Sequence, residues 1–535
     1  MAGRCRDSRV HVVEFSHSPR LVYSPSRVHS SPVSENARRN PTSNPWPDLI
    51  YGLAVVLVLG SALWALFDHF SIISRTLAFP YPLAYSESLS VDRALQLPDL
   101  THLYPTTFST PPLRISPQPP LFPALLAPLL HAVTAADAFA ATRTLSLIAF
   151  CVTGLAAAGT VFGLTRSFGG AVITCVMLWL FPQIQVASLL VAPDAAALAL
   201  GTLGLCIAVL FGTHDSARSN SAVALSGLCF VLCIGMQPEF VIVPLTGACT
   251  WLLRNGRRNA TLILLASIAV CSVTAAAWLQ VITNGGFLQH LLNFGVRDFS
   301  KDVATWLIIN QLLRTGLILV PSILFFITEP LGARHVAARP LLIMLMTAFI
   351  LTILSSRVGS SWSITLPLSL ATCISFGVVI GWLHRTRWLT AFTLMFALLQ
   401  IDTLKDWRAV DFLPDLKGRF ATTREMYELA TRLRNAKGPV LTDEYIGLLS
   451  LAGKAPVIYP LEFNTLQQRG DWSSTELIAA IERRDFALVA WYEPQDRNEL
   501  YILTRWPDDV RKAIYKNYTG AGYMADTVLY QPVQR

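Results

Sequence analysis

Charge is what this sequence has least of. Only 14% of its 535 residues are charged, while 53% are hydrophobic and mean hydropathy is +0.47. Soluble domains carry roughly 25% charged residues, so this shortage excludes an ordinary water-soluble globule and predicts a polytopic membrane protein. Cysteine is present, nine residues in all, but builds no framework. Cys5 sits in the polar N-terminus, and Cys151, Cys175, Cys206, Cys229, Cys233, Cys249, Cys271 and Cys373 lie in apolar runs. No CxxC pair or Cys/His cluster has metal-ligand spacing, which argues against structural disulfides and zinc. Also missing are GxxxxGK[ST] and any GxGxxG that follows a strand and opens a helix, so nothing supports a nucleotide site. The net charge of +8 would suit a nucleic-acid binder, but the basic residues fall in short loops between apolar runs. No nucleic-acid partner is expected.

What is present is a series of apolar runs. Residues 1–47 are rich in Ser, Pro, Arg and Asn without periodicity, the composition of a disordered tail. The first apolar run, LIYGLAVVLVLGSALWALF, begins at Leu49. It is too late and too long for a signal peptide and close to the ~20 residues that cross a bilayer. Further spans are predicted near 139–165, 170–188, 195–212, 221–235, 239–253, 260–283, 305–328, 340–355, 360–383 and 388–402, for about 11–13 transmembrane helices. The run at 120–133 is short for a crossing and reads as a partial or juxtamembrane helix. Arg166, Arg218, Arg254, Arg257, Arg258, Arg334, Arg339, Arg385 and Arg387 occupy alternate loops. The positive-inside rule makes those loops and the N-terminus cytoplasmic.

Two outward regions follow from that orientation, a first loop over 70–119 and everything from 403 to 535. Charges become frequent in the latter and long apolar runs stop. GPVLTDEY and FALVAWY read as short buried strands, and TTREMYELATRLRNA and STELIAAIERR as amphipathic helices. This predicts a small extracytoplasmic α/β domain beside a transmembrane domain at 48–402.

The order of several stretches resembles a known superfamily. AYSES follows the first span, then come LYP at 103–105, the proline-rich PQPPLFPALLAPL, the Arg-started TRTLSLIAF and a later PDAAALALG. This pattern, with VLTDEYIGLLSLAGKAPVIYPLEF near the C-terminus, is similar to the GT-C membrane glycosyltransferases. The likeness is greatest to the bacterial polyprenyl-phosphate-sugar-dependent type, grouped with dolichyl-phosphate-mannose and lipid A aminoarabinose transferases. The resemblance covers about residues 49–500. It implies a multi-pass inner-membrane enzyme that moves a sugar from a polyprenyl-phosphate donor to a lipid, glycan or protein acceptor, with inversion, outside the cytoplasm. It also implies that the acidic residue of the first outer loop, Glu87, is catalytic. Met236-Gln237 stands where relatives often show Lys-Gln. Arg357 and Gly359 are kept, but SSWSITLPL replaces the Asn-Tyr pair and glutamate that follow in relatives.

Each candidate also carries a plainer reading. Inverting transfer needs a base for the acceptor hydroxyl and cationic help for the departing phosphate. Glu87, with Asp92 in the same loop, could be that base or a solvated carboxylate. Asp194 opens an apolar helix, where N-capping competes with binding an acceptor or a cation. Gln237 and Glu239 fall at an outer turn between spans, where acids are costly and often functional. His290, Arg297 and Lys301 share the loop HLLNFGVRDFSKD, whose cations could bind the donor phosphate or pair with Asp298 and Asp302. Arg357 and Arg143 flank apolar runs, as phosphate ligands or as snorkelling anchors. No metal cluster is predicted and no cofactor is demanded, although a divalent cation is compatible with the chemistry. A secondary transporter or lipid flippase, or a degenerate GT-C-like scaffold subunit, are the alternatives.

Overall fold

The computed structural model describes residues 46–108, 111–213, 216–294, 298–328, 335–357, 362–383, 386–405, 420, 422–493 and 505–534. The tail expected at 1–47 lies outside them as far as residue 45. Each apolar run of the sequence is a helix. The first is α1 (Trp46–Ala78), followed by the short helices α2 (Tyr85–Gln96), α3 (Leu100–Leu103) and α4 (Leu121–Ala132). The bundle continues with α5 (Ala138–Thr165), α6 (Phe168–Leu180), α7 (Pro182–Leu189), α8 (Pro193–Phe211), α9 (Ala217–Met236), α10 (Ile242–Arg254) and α11 (Arg258–Ile282). After the one-turn α12 (Gly286–Leu288) come α13 (Lys301–Ile327), α14 (Ala338–Leu354), α15 (Leu366–Leu383) and α16 (Arg387–Lys405). Seven of these are long and apolar enough to cross a membrane by themselves. The pair α6 and α7, bent by 71° at Phe181, makes an eighth if counted as one broken span. The protein is thus a multi-pass α-helical membrane protein.

α4 matches the short run at 120–133. Twelve residues rise only about 18 Å, well under the ~30 Å hydrocarbon core. Its Phe122, Leu126 and Leu130 are buried instead in the main apolar cluster, beside Val91 and Ala94 of α2.

α15 is the central helix, buried at every residue from Leu366 to Gly381. Small residues let its neighbours approach. A Cβ added to Gly170 of α6 would lie 2.5 Å from the Gly377 carbonyl of α15, so glycine is required at that crossing, as in small-residue packing of membrane helices. Hydroxyls within the spans mostly bond their own helix one turn back: Thr202 Oγ1 donates to Leu198 O at 2.6 Å and Thr160 Oγ1 to Ala156 O at 2.9 Å. That satisfies the group without a partner helix.

The C-terminal region carries a four-stranded sheet in the order β1-β2-β4-β3: β1 (Val440–Thr442), β2 (Leu488–Tyr492), β3 (Tyr518–Met524) and β4 (Thr527–Pro532). β1 pairs parallel with β2, β4 antiparallel with β2, and β3 antiparallel with β4. Thr423–Asn435 and Thr475–Arg483 are the two expected helices. The apolar side of this layer is shared with the bundle. One cluster joins Trp491, Trp506 and Phe463 to Tyr85 and Leu89 of α2. A second joins Leu429 and Tyr492 to Ile73 of α1 and to Val186 and Leu189 of α7. α2 therefore lies between the sheet and one end of the bundle. That end is marked by the C-terminus of α1 and the N-termini of α8 and α15.

Candidate active site

Glu87 is in the first turn of α2, after Ala84 in extended geometry with no side-chain cap. Its carboxylate reaches back past the N-cap Ala84 to accept the Leu83 N–H at 2.6 Å, and the helix dipole favours an acid there. It is fully buried. Arg143 of α5, equally buried, forks onto it, with Nε to Oε1 at 2.9 Å and Nη2 to Oε2 at 2.8 Å. The N–H of Val191, just before α8, donates to Oε1 at 3.0 Å. Each oxygen thus accepts two hydrogen bonds, which saturates an ionised carboxylate. Arg143 is saturated too: Nη1 donates to Thr76 O at 2.9 Å and Phe79 O at 2.5 Å, and Nη2 to Tyr81 O at 2.6 Å. One guanidinium therefore caps the end of α1, which runs on past Phe70 to Ala78, and clasps α2 to α5 and α8. The expectation of a snorkelling or phosphate-binding Arg143 is corrected by this burial.

Asp92, one turn further along α2, is also fully buried. It accepts the Ser450 hydroxyl at 2.5 Å and the Tyr459 hydroxyl, and pairs with Arg114 Nε at 3.2 Å. Burial and the adjacent Asp92 charge push the Tyr459 phenol well above its ordinary range, so Tyr459 is the donor. Beside it Arg93 donates to Ile115 O at 3.0 Å and Gln118 at 3.1 Å. Glu444 and Arg505, 2.6 Å apart, extend the network, with the guanidinium over the Tyr85 and Tyr492 rings at 5.1 and 5.7 Å. These groups rivet α2 to the C-terminal layer.

His290 is used in the same way. Its Nδ1 accepts the Ser116 N–H at 3.0 Å, which leaves Nε2 to donate to Pro105 O at 2.7 Å. Burial lowers its pKa to about 4, and the charge of Arg93 works in the same direction against the raising effect of the Pro105 carbonyl. The ring is a neutral strut between the proline-rich loop and the segment after α12.

Asp194, in the first turn of α8, is different. Ala192 is the N-cap residue and no side chain caps this helix. The Asp194 residue keeps some exposed surface, but its carboxylate is chiefly desolvated by the surrounding chain; the Glu239 charge acts on it and the Ser363 hydroxyl bonds it. Glu239 lies in a 3-10 turn, Pro238–Val241, and accepts Gln237 Nε2 at 2.6 Å. The Gln237 Oε1 is buried with no hydrogen-bond partner. Two carboxylates, an amide and a serine from three separate segments thus converge at the α2 end of the bundle, three residues from the Val191 amide that holds Glu87.

Arg357 is half-buried and is held by a short antiparallel bridge to Phe299, next to a Ser300 N–H to Ser356 O bond at 3.1 Å. This brings it alongside Lys301, exposed at the first turn of α13. Arg297 and Gly359 lie outside the described residues. Among the described residues no group of three or more His, Cys, Asp or Glu side chains could hold a metal ion. Sequence reasoning passed over Ser363, Arg505 and a buried chain inside the bundle. In that chain Gln183 donates to Gln311 at 3.1 Å and Gln311 to Ser369 at 2.9 Å. Only the glutamines, uncommon in apolar runs, were a readable signal.

No family model matches the sequence, and no curated protein matches it. Solved structures do. The fold superposes on ArnT from Cupriavidus metallidurans in the apo state with a TM-score of 0.59 and 13% identity, over 91% of this chain and 98% of that one. The same protein bound to undecaprenyl phosphate gives a TM-score of 0.57 at 13% identity, over 91% and 98%. The archaeal oligosaccharyltransferase AglB from Archaeoglobus fulgidus, in complex with an inhibitory peptide and a dolichol-phosphate, gives 0.52 at 13% identity, over 90% of this chain and 74% of that one. These are GT-C glycosyltransferases, and the fold of this chain is the GT-C fold.

Proposed function

We propose, with the GT-C fold as premise, that this chain transfers a sugar from a polyprenyl-phosphate donor to an acceptor hydroxyl at the α2 end of its bundle, outside the cytoplasm. The observation that carries the proposal is the Asp194–Glu239 pair with Gln237 and Ser363 at that end. Asp194 is the preferred base, because its desolvated carboxylate is bonded by the Ser363 hydroxyl and faces the charge of Glu239, whereas Glu87 has all its acceptor positions filled by the chain. The acceptor O–H gives its proton to Asp194, the oxygen bonds to the anomeric carbon from the face opposite the leaving group, and the bond to the phosphate oxygen breaks. Polyprenyl phosphate departs with the electron pair, and Arg357 and Lys301 are the cations we assign to its charge. Glu87 and Asp92 then act by holding α2 in place.

The test is release of polyprenyl phosphate from polyprenyl-phosphate sugars by the purified full chain. Asp194→Asn should keep its melting temperature and lose about 10²–10⁴-fold in turnover, as expected of a missing base. Ordinary turnover in Asp194→Asn together with a dead but folded Glu87→Gln would return the role to Glu87. Arg357→Ala should slow donor use more than Arg357→Lys. The saturation of Glu87, Asp92 and His290 favours one second reading, a GT-C-like scaffold subunit. A wild-type chain that turns over no lipid-linked sugar would select it.

A further inference from the structure

A second cavity of the bundle lies away from this site. It is a groove of about 640 Å³ between α13, α15 and α16. Leu312, Leu317 and Phe325 of α13, Val379 of α15 and Phe392 and Phe396 of α16 line it, and the Thr393 hydroxyl is the one polar side-chain group among its lining residues. Gly316 opens its wall, since a Cβ there would meet nothing within 4 Å. From Leu312 to Phe325 the groove follows α13 for about 20 Å, somewhat more than the ~15 Å depth of one leaflet's hydrocarbon. One end lies near the middle of α13. The other is at the end of the bundle opposite α2, where Phe325 touches Trp382 near the C-terminus of α15 and Arg387 begins α16 beside Asp48 of α1.

That second end has the make-up of a headgroup zone. His335 stacks on Trp382, with centroids 4.1 Å apart and planes at 12°. Arg339 is exposed there, as is Arg387, whose charge is paired with Asp48, and aromatic rings with arginines are typical of the membrane interface on the positive side. We propose that the groove binds one acyl chain of an anionic glycerophospholipid from that leaflet, with Arg339 receiving its phosphate. Groove length selects a chain of one leaflet, and the exposed Arg339 at that end of the bundle selects a negative headgroup. The proposal is independent of the transferase reading, because the groove and the Asp194 site lie at opposite ends.

The full chain reconstituted in nanodiscs of equal phosphatidylglycerol and phosphatidylcholine, then released for native mass spectrometry, tests it. Retained lipid should be phosphatidylglycerol, preferred about fivefold for the charge of Arg339. Gly316→Leu, which places a side chain in the groove, should abolish the retained lipid. Arg339→Gln should reduce the preference about fivefold while leaving some lipid bound, which keeps the test decisive should the leucine variant fold poorly. Equal retention of both lipids, or retention unchanged in both variants, overturns the proposal. Co-purified polyprenyl phosphate that phosphatidylglycerol does not displace overturns the choice of occupant.

Discussion

Two pairs of carboxylates stand at the same end of this bundle and have opposite surroundings. Glu87 and Asp92 on α2 are fully buried and bonded by arginine, hydroxyl and backbone groups. Asp194 and Glu239 keep part of their residue surface exposed and have no arginine partner in the hydrogen bonds described above; Asp194 is desolvated, feels the Glu239 charge and is bonded by a serine, and Glu239 accepts an amide. Burial alone would rank the first pair as the more functional. Partner count reverses the ranking: a carboxylate whose lone pairs are all used holds structure, and one with capacity left can take a proton or a ligand.

The sharpest way to break this contrast is Arg143→Ala. It leaves the Glu87 charge buried and unpaired and frees the carbonyls at the end of α1, which should cost about 3–5 kcal/mol, read as a large fall in melting temperature in detergent. A melting temperature unchanged by Arg143→Ala would mean that Glu87 is not locked. A somewhat smaller effect is expected from pH. His290 is neutral in the fold because its pKa is lowered from 6.5 to about 4, whereas in the unfolded chain it takes up a proton below about 6.5. Its contribution is complete above pH 6.5 and is lost as pH falls toward 4, about 3 kcal/mol in all. His290→Phe should flatten the melting profile across that window, and an unaltered profile would remove the strut. The smallest effect belongs to Ser450→Ala, which deletes one of the bonds to Asp92. It should cost about 1.5 kcal/mol, measured in the same melts, with lipid-linked sugar turnover at permissive temperature unaltered.

Much of the fold could be read before any coordinates. All eleven long apolar runs are helical, with α7 bent away from α6, and GPVLTDEY and FALVAWY supply β1 and β2. These features follow from local periodicity and hydrophobicity. The β3–β4 hairpin escaped notice because its turn, Ala525-Asp526, takes φ of 49° and 55° without the glycine that usually marks such a turn. α2 lies inside what reads as the first loop, 70–119, and its stability comes from burial against the sheet rather than from its own sequence. The site was legible as residue types and not as partners. Glu87 could be picked out as a lone acid after a span, but its partner is 56 positions away, and no spacing rule connects the two. Asp194 and Glu239 likewise meet only because α8, α9 and the turn before α15 end together.

The Arg143 clasp also sets a schedule for the nascent chain. It joins residues 76–87 to residue 143 and residue 191, and the last of these is 104 positions beyond Glu87. At ~5–20 residues per second, Glu87 waits roughly 5–20 s for the Val191 amide to be synthesised. During that interval the first span and the α2 segment are already made but unfastened. The insertion machinery or a chaperone has that long to hold a paired but unfinished carboxylate, and a variant that delays α8 would lengthen the wait without altering any contact of the finished molecule.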